Sequence, residues 1–279
     1  MSAFLIVVIG IGWLFSYIYQ SPGILFFAII FSVLMNVVSY WYSDRIVLSL
    51  HKASPATREN NLELWNILEN LSITAGLPMP RLYIVEDASP NAFATGRNKE
   101  HAVICVTTGL LRILNKNELE GVVAHELSHI GNRDILISTV AVVLAGFVAL
   151  LSDFFLRSRL LGGRGRNNQA QGVVIIAGIV LAILAPIAAT LIQLAISRRR
   201  EFLADSSGAL LTRFPEGLAS ALRKIGATSI PMRTANNATA HLFISNPFGR
   251  GGNASSFVKK MFMTHPPMEE RVRALVEGE

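Results

Sequence analysis

The 279-residue sequence predicts an α+β protein, mainly α, that is integral to a membrane through a helical anchor. Three observations predict it. Hydrophobic residues make up 51% of the chain and charged residues 16%, against roughly a quarter charged in an ordinary soluble domain. No charged residue occurs between Met1 and Ser43. Beyond Asp44 the pattern changes to amphipathic helical stretches separated by short β-rich runs, as in a mixed globular domain.

The anchor comes first. A Gln20-Ser21-Pro22-Gly23 turn divides residues 1–43 into two apolar runs, Ala3 to Tyr19 and Ile24 to Tyr42. Each is long enough to cross a hydrocarbon core of about 30 Å as a helix. The stretch lacks a basic leader and a small-residue cleavage site, which argues against a signal peptide. Trp13, Tyr17, Tyr40, Trp41 and Tyr42 cluster towards the ends of the runs, where amphipathic rings favour the headgroup region.

The first part of the globular domain is expected over 44–134. Within it, Leu62, Trp65, Leu68 and Leu71 recur at helical spacing before Gly76, which predicts a helix over Thr57 to Ala75. Runs at Arg81 to Glu86 and Ala102 to Thr107 read as strands. Asn117, with Glu120 three positions on, predicts the N-cap of a helix running through His129. Two further apolar runs, Ile135 to Ser152 and Val173 to Ile196, flank a Gly- and Arg-rich loop and predict a second transmembrane hairpin over 135–196. A hairpin buried in a globular core is the other reading, because Pro186, Thr190 and Gln193 soften the last run. Residues 197–279 complete the globular domain, with helices over Pro215 to Ile225 and Pro266 to Val276 around a polar loop at 233–256.

The net charge of +6 does not point to nucleic acid. Its arginines crowd the ends of apolar runs, as Arg133 and Arg198 to Arg200 do, where anionic lipid headgroups select for them. The single cysteine, Cys105, excludes an internal disulfide and a cysteine-rich metal site, and it reads as a core residue.

The chemistry sits in His125-Glu126-Leu127-Ser128-His129, an H-E-x-x-H pattern on a helix. One turn of spacing puts both imidazoles on the same face, where they can share a zinc ion, with Glu126 as the general base. A catalytic zinc needs three protein ligands and one open position. Ile135 occupies the position where an extended motif would carry a third His. Glu201 is the candidate third ligand, although a carboxylate after three arginines also serves as an ordinary salt-bridge partner. Asp205, one turn further, could accept the free N–H of a ligand histidine.

With these residues in view the chain resembles a known family. Asn91-Ala-Phe-Ala-Thr-Gly96, His125 to Asp134, Arg199-Arg-Glu-Phe-Leu-Ala-Asp205, Thr264-His-Pro266 and Glu270-Arg271 occur in the order seen in HtpX-type membrane zinc metalloproteases, relatives of the CAAX prenyl endopeptidases. The resemblance implies a zincin-like catalytic domain holding one Zn2+ through His125, His129 and Glu201. It also implies an oxyanion-stabilising role for His265 or Arg271, and a substrate-pairing strand at Asn91, Ala92, Phe93 and Ala94. From the residues alone, His265 reads equally as a helix-cap neighbour, Arg271 as a solvated helix face and 91–96 as a loop. By the same likeness the expected setting is the bacterial inner membrane, multi-pass, with the catalytic domain in the cytoplasm and damaged or misfolded membrane proteins as substrates under stress. Two rival readings remain: a membrane scaffold with a structural zinc site, and a soluble peptidase with a buried apolar hairpin. His241 reads as a surface loop histidine.

Overall fold

The computed structural model describes residues 2–18, 20–142, 146, 197–236, 238–249 and 266–277. They divide into two compact units, one containing residues 2–43 and the other residues 44–142 with the described residues from 197 onward. Half of the third apolar run, all of the fourth, and His265 lie outside the described residues.

In the first unit, helix α1 (Ser2–Ile18) and the start of helix α2 (Pro22–Leu50) form a hairpin at the Gln20–Ser21 turn. Proline at the first position of α2 suits a helix start, where its missing N–H has no partner to lose. Among the described residues no single helix is long and apolar enough to cross a membrane. The 17 residues of α1 rise about 26 Å at 1.5 Å each, slightly short of a typical hydrocarbon core. Helix α2 is bent by 64° between Pro22–Val38 and Tyr40–Leu50, and only that bent pair together has the required length and apolarity. Ile6, Phe26, Phe27 and Ile30 are each about two-thirds exposed, giving this unit an apolar surface.

The second unit is built on a four-stranded sheet of order β1-β2-β4-β3. Strand β1 (Ser54–Pro55) runs antiparallel to β2 (Arg81–Val85), β2 runs parallel to β4 (Val103–Thr107), and β3 (Ala92–Thr95) pairs antiparallel with β4 at the edge. Every residue of β4 is buried, as expected for a continuous Val-Ile-Cys-Val-Thr run at the centre of a covered sheet, and Cys105 lies there as a core residue.

Helices α3 (Leu62–Ala75), α4 (Thr108–Ile113), α5 (Lys116–Gly131), α6 (Arg198–Thr212), α7 (Pro215–Ala227) and α8 (Met268–Glu277) complete the unit. Helix α5 is central and packs against α3, α6, α7 and β3. Leu68, Ile104, Leu110, Leu127 and Leu222, all inaccessible to solvent, form the core around it.

The start of α5 differs from the expected one. Asn115 is the N-cap: its side chain accepts the Glu118 N–H at 3.0 Å, and Glu118 accepts the Asn115 N–H at 2.8 Å. Two overlapping Asn-x-x-Glu patterns compete here, and the earlier one forms because it buries Glu118 against Lys224 and Ser220 of α7, each at 2.7 Å. The helix expected from Thr57 begins at Leu62, and the C-terminal helix expected from Pro266 begins at Met268.

Candidate metal centre

The chemistry gathers where α5 and α6 cross. His125, Glu126 and His129 project from the last turns of α5, and Glu201 and Asp205 from the first turns of α6. The two helices approach closely at Gly208, where a Cβ atom would stand 3.0 Å from the His125 backbone nitrogen. A side chain at that position would press on the backbone of α5 at Ala124 and His125.

His125 Nε2 and His129 Nε2 face each other at 3.2 Å. Glu201 Oε1 lies 3.6 Å from His129 Nε2, and Glu201 Oε2 lies 3.9 Å from His125 Nε2. One donor atom from each of the three residues fits within 4.8 Å of the others. Each imidazole is oriented from behind: His125 Nδ1 by Asp205 at 3.0 Å, His129 Nδ1 by Asp134 at 3.0 Å. A ring that donates its Nδ1–H in the neutral form leaves Nε2 as a bare acceptor. Two acceptors facing each other beside a carboxylate need a shared cation, and two imidazoles with one carboxylate are a donor set that zinc accepts in catalytic sites. The residues therefore fit a metal ion.

The surrounding charges act in opposite directions on the two rings. Burial, joined by the Arg271 charge, takes His125 down to about 4 despite Asp205. Burial also opposes charging of His129, but the Asp134 hydrogen bond and the Glu201 and Glu126 charges outweigh it and raise that ring to about 9. Negative groups thus gather around His129, while His125 lies against the Arg271 charge. Glu126 is pushed up to about 7, chiefly by burial, with Glu201 adding to the effect.

Glu126, His129, Glu201, Ala94, His241 and Leu242 border a cavity of about 20 Å³ at the cluster, room for roughly one water molecule. A larger cleft, about 630 Å³, lies between α6 and α8 and touches the cluster through Asp205.

The expected substrate strand is β3, an edge strand. Thr107 donates its N–H to the Asn91 carbonyl, so by the alternation of an antiparallel ladder Ala92 and Ala94 turn their backbone groups away from β4. The Ala94 backbone amide interacts with Glu126. Phe93 and Asn91 are buried: Phe93 meets Phe243 edge to face, with ring centroids 5.0 Å apart, and the Asn91 side chain binds the backbone of Ser245 through both its donor and its acceptor.

Arg271 stands against the metal cluster on the side of His125 and Asp205. It is fully buried on α8, and its guanidinium donates to Asp205 through Nε at 2.8 Å and Nη2 at 2.6 Å. It reaches Glu201 at 3.5 Å and the His125 ring at 3.3 Å, and it does not line the small cavity. His241 is buried rather than exposed, with Nε2 donating to the Ser138 carbonyl at 3.1 Å. The signal for that position is the Phe243-Ile244 pair, which no solvated loop needs. Asp134 stood within the quoted motif five residues after His129, without an assigned role.

The fold and the donor set together define a metallopeptidase. The chain belongs to peptidase family M48, whose model matches residues 58–279. It is 48% identical to a protease HtpX homolog of Caldanaerobacter subterraneus subsp. tengcongensis, covering 98% of this chain and 91% of the relative. A protease HtpX homolog of Thermococcus kodakarensis is 50% identical over 95% of this chain and 89% of its own length. Among solved structures, S. mikatae Ste24p shares the fold, with a TM-score of 0.55 and 18% identity over 96% of this chain. This chain spans 62% of the length of that protein.

Proposed function

We propose that the protein is a membrane-anchored, zinc-dependent endopeptidase that cleaves damaged or misfolded membrane proteins. The observation that carries this reading is the convergence of His125, His129 and Glu201 beside the buried carboxylate of Glu126.

When bound at His125, His129 and Glu201, zinc would supply Lewis acidity to the water and to the scissile carbonyl. Glu126 takes a proton from the attacking water and returns it to the leaving amine, a role suited to a carboxylate whose pKa lies near neutrality. Asp205 and Asp134 hold the two imidazoles in the tautomer that leaves Nε2 free. The substrate backbone adds to the outer edge of β3 beside Ala94, displacing the Ile244 segment from Ala92, which fixes one carbonyl while leaving side-chain identity nearly free. A structural zinc site normally closes with a fourth protein ligand. Here three donors converge and Glu126 borders the adjoining space, which favours catalysis over a scaffold role.

The charge-free 43 residues, the exposed apolar side chains of α1 and α2, and the apolar runs at 135–152 and 173–196 support insertion in a bilayer. Arg45, Lys52, Arg58 and Arg198 to Arg200 favour the cytoplasmic side of a bacterial inner membrane for the catalytic unit. Runs three and four then cross as a pair or both fail to cross, because Glu201 must return to the side of His129, and we propose that they cross. A cysteine placed at Ser158 in an otherwise cysteine-free chain should react with an impermeant reagent outside intact cells.

The direct test is to incubate the purified full-length protein with an unfolded membrane protein. Cleavage should stop with a chelator and return with zinc. Cleavage that persists in the fully chelated, metal-free protein would refute the reading. Recovery of the protein in the soluble fraction after a carbonate wash would refute its membrane part alone.

A further inference from the structure

The metal centre also draws on a group far along the chain from both α5 and α6. Arg271 comes from α8, a 10-residue helix near the chain's C-terminus. Its Met268, Val272 and Leu275 pack against the core at helical spacing, while clefts of about 630 and 400 Å³ flank it on either side. Helix α8 is therefore seated on one narrow apolar stripe and on Arg271.

We infer that Arg271 is a positioning residue: by holding Asp205 and lying against His125, it fixes the tilt of that ring, so that docking of α8 completes the metal centre. The inference rests on reading the cluster as a metal site. Arg271 grips Asp205 through two nitrogens, at 2.8 and 2.6 Å, which leaves that carboxylate a single orientation. The same carboxylate holds His125 Nδ1 at 3.0 Å. Arg271 Nη2 lies 3.3 and 3.4 Å from the two ring nitrogens, so it packs against the imidazole and limits its rotation. Nη1, 3.5 Å from Glu201 Oε2, draws the third donor towards the same point. Without this guanidinium, Asp205 and Glu201 would be two buried carboxylates sharing no cation on that side, and the His125 ring would lose its backing.

Metal affinity tests the inference independently of peptide cleavage. The full-length protein is prepared with Glu126→Gln to prevent self-cleavage, and zinc binding is measured by competition with a chromophoric chelator. Cobalt absorption reports ligand geometry. Arg271→Gln should weaken zinc binding about 10- to 100-fold, as loss of outer-shell partners does, and should alter the cobalt spectrum. Arg271→Lys should recover part of the affinity, because it restores charge without the two-pronged grip. Asp205→Asn, nearly identical in shape, should reproduce the lesion and carries the test if Arg271→Gln fails to fold. With Glu126 restored, the Arg271 variants should lose kcat with little change in KM. Unchanged zinc affinity and cobalt spectrum in both Arg271→Gln and Asp205→Asn would overturn the inference. Absence of metal binding by the chain before any change at Arg271 would overturn the metal-centre reading beneath it.

Discussion

Ile244 donates its backbone N–H to the carbonyl of Ala92 at 3.0 Å, so the protein's own chain occupies one end of the β3 edge. Thr139 closes the other end, where its hydroxyl meets Thr95 and Gly96. Only Ala94 lies between these contacts, beside the small cavity. A substrate that adds as a strand must therefore displace the segment around Ile244.

Substrate backbone hydrogen bonding is best probed from the substrate side. Proline at Ala94 would disturb the backbone amide that interacts with Glu126 as well as the sheet edge, which confounds two effects. Replacing one substrate N–H by an ester oxygen, two residues from the scissile bond, leaves the enzyme untouched. One backbone hydrogen bond contributes about 0.5–1.5 kcal/mol, so kcat/KM should fall roughly 3- to 10-fold. Equal kcat/KM for amide and ester substrates at every position within three residues of the cut would exclude strand addition.

Glu126→Gln should retain zinc at full stoichiometry and lose cleavage by about 10²- to 10⁴-fold, the usual contribution of general-base catalysis. Metal analysis alongside cleavage assays checks both halves. Loss of zinc from this variant, with zinc retained by Glu201→Gln, would reverse the assigned roles.

His51 makes stability depend on acidity. The ring is buried between Phe93 and Phe243 and bonded to Thr234 and Thr239 at 3.0 Å each. Burial lowers its pKa from 6.5 to about 4, against the pull of Asp87. The unfolded chain takes up a proton near pH 6.5 while the folded chain resists until about 4. Stability contributed by neutral His51 is thus complete above pH 6.5 and is lost as pH falls towards 4, by on the order of 3 kcal/mol. Thermal melts of the wild type and His51→Gln between pH 7 and 4 should show a shallower pH dependence in the variant, and parallel curves would contradict this.

Asn115→Ala should destabilise the catalytic unit by about 1 kcal/mol, because it strips the cap from the helix that carries both histidines. Asn117→Ala should have a much smaller effect. A melting temperature lowered equally by both changes would show that the capping box at Asn115 carries no special weight.

The helix of the H-E-x-x-H motif was legible because its spacing is a property of a single helix. The strands at 81–85 and 103–107 followed from their β-branched content, whereas their parallel pairing depends on the distant packing of the sheet. The register of the α5 cap was not, since Asn115 and Asn117 carry the same local pattern and only contact with Lys224 separates them. The position of His241 depends on packing between distant segments, and the polarity of residues 233–256 concealed it. Arg271 misled for a related reason: a sequence as charged as Glu269-Glu270-Arg271-Val272-Arg273 reads as a solvated face, yet this arginine is completely buried.

Gly208 gives the active site a ruler. The distance between α5 and α6 is set by direct backbone contact, with no compressible side chain in the gap. The span between the histidines and Glu201 is consequently fixed by the thickness of two helix backbones, which sequence drift elsewhere can hardly alter. Even a single methyl group at this position would crowd the backbone of α5 beside His125.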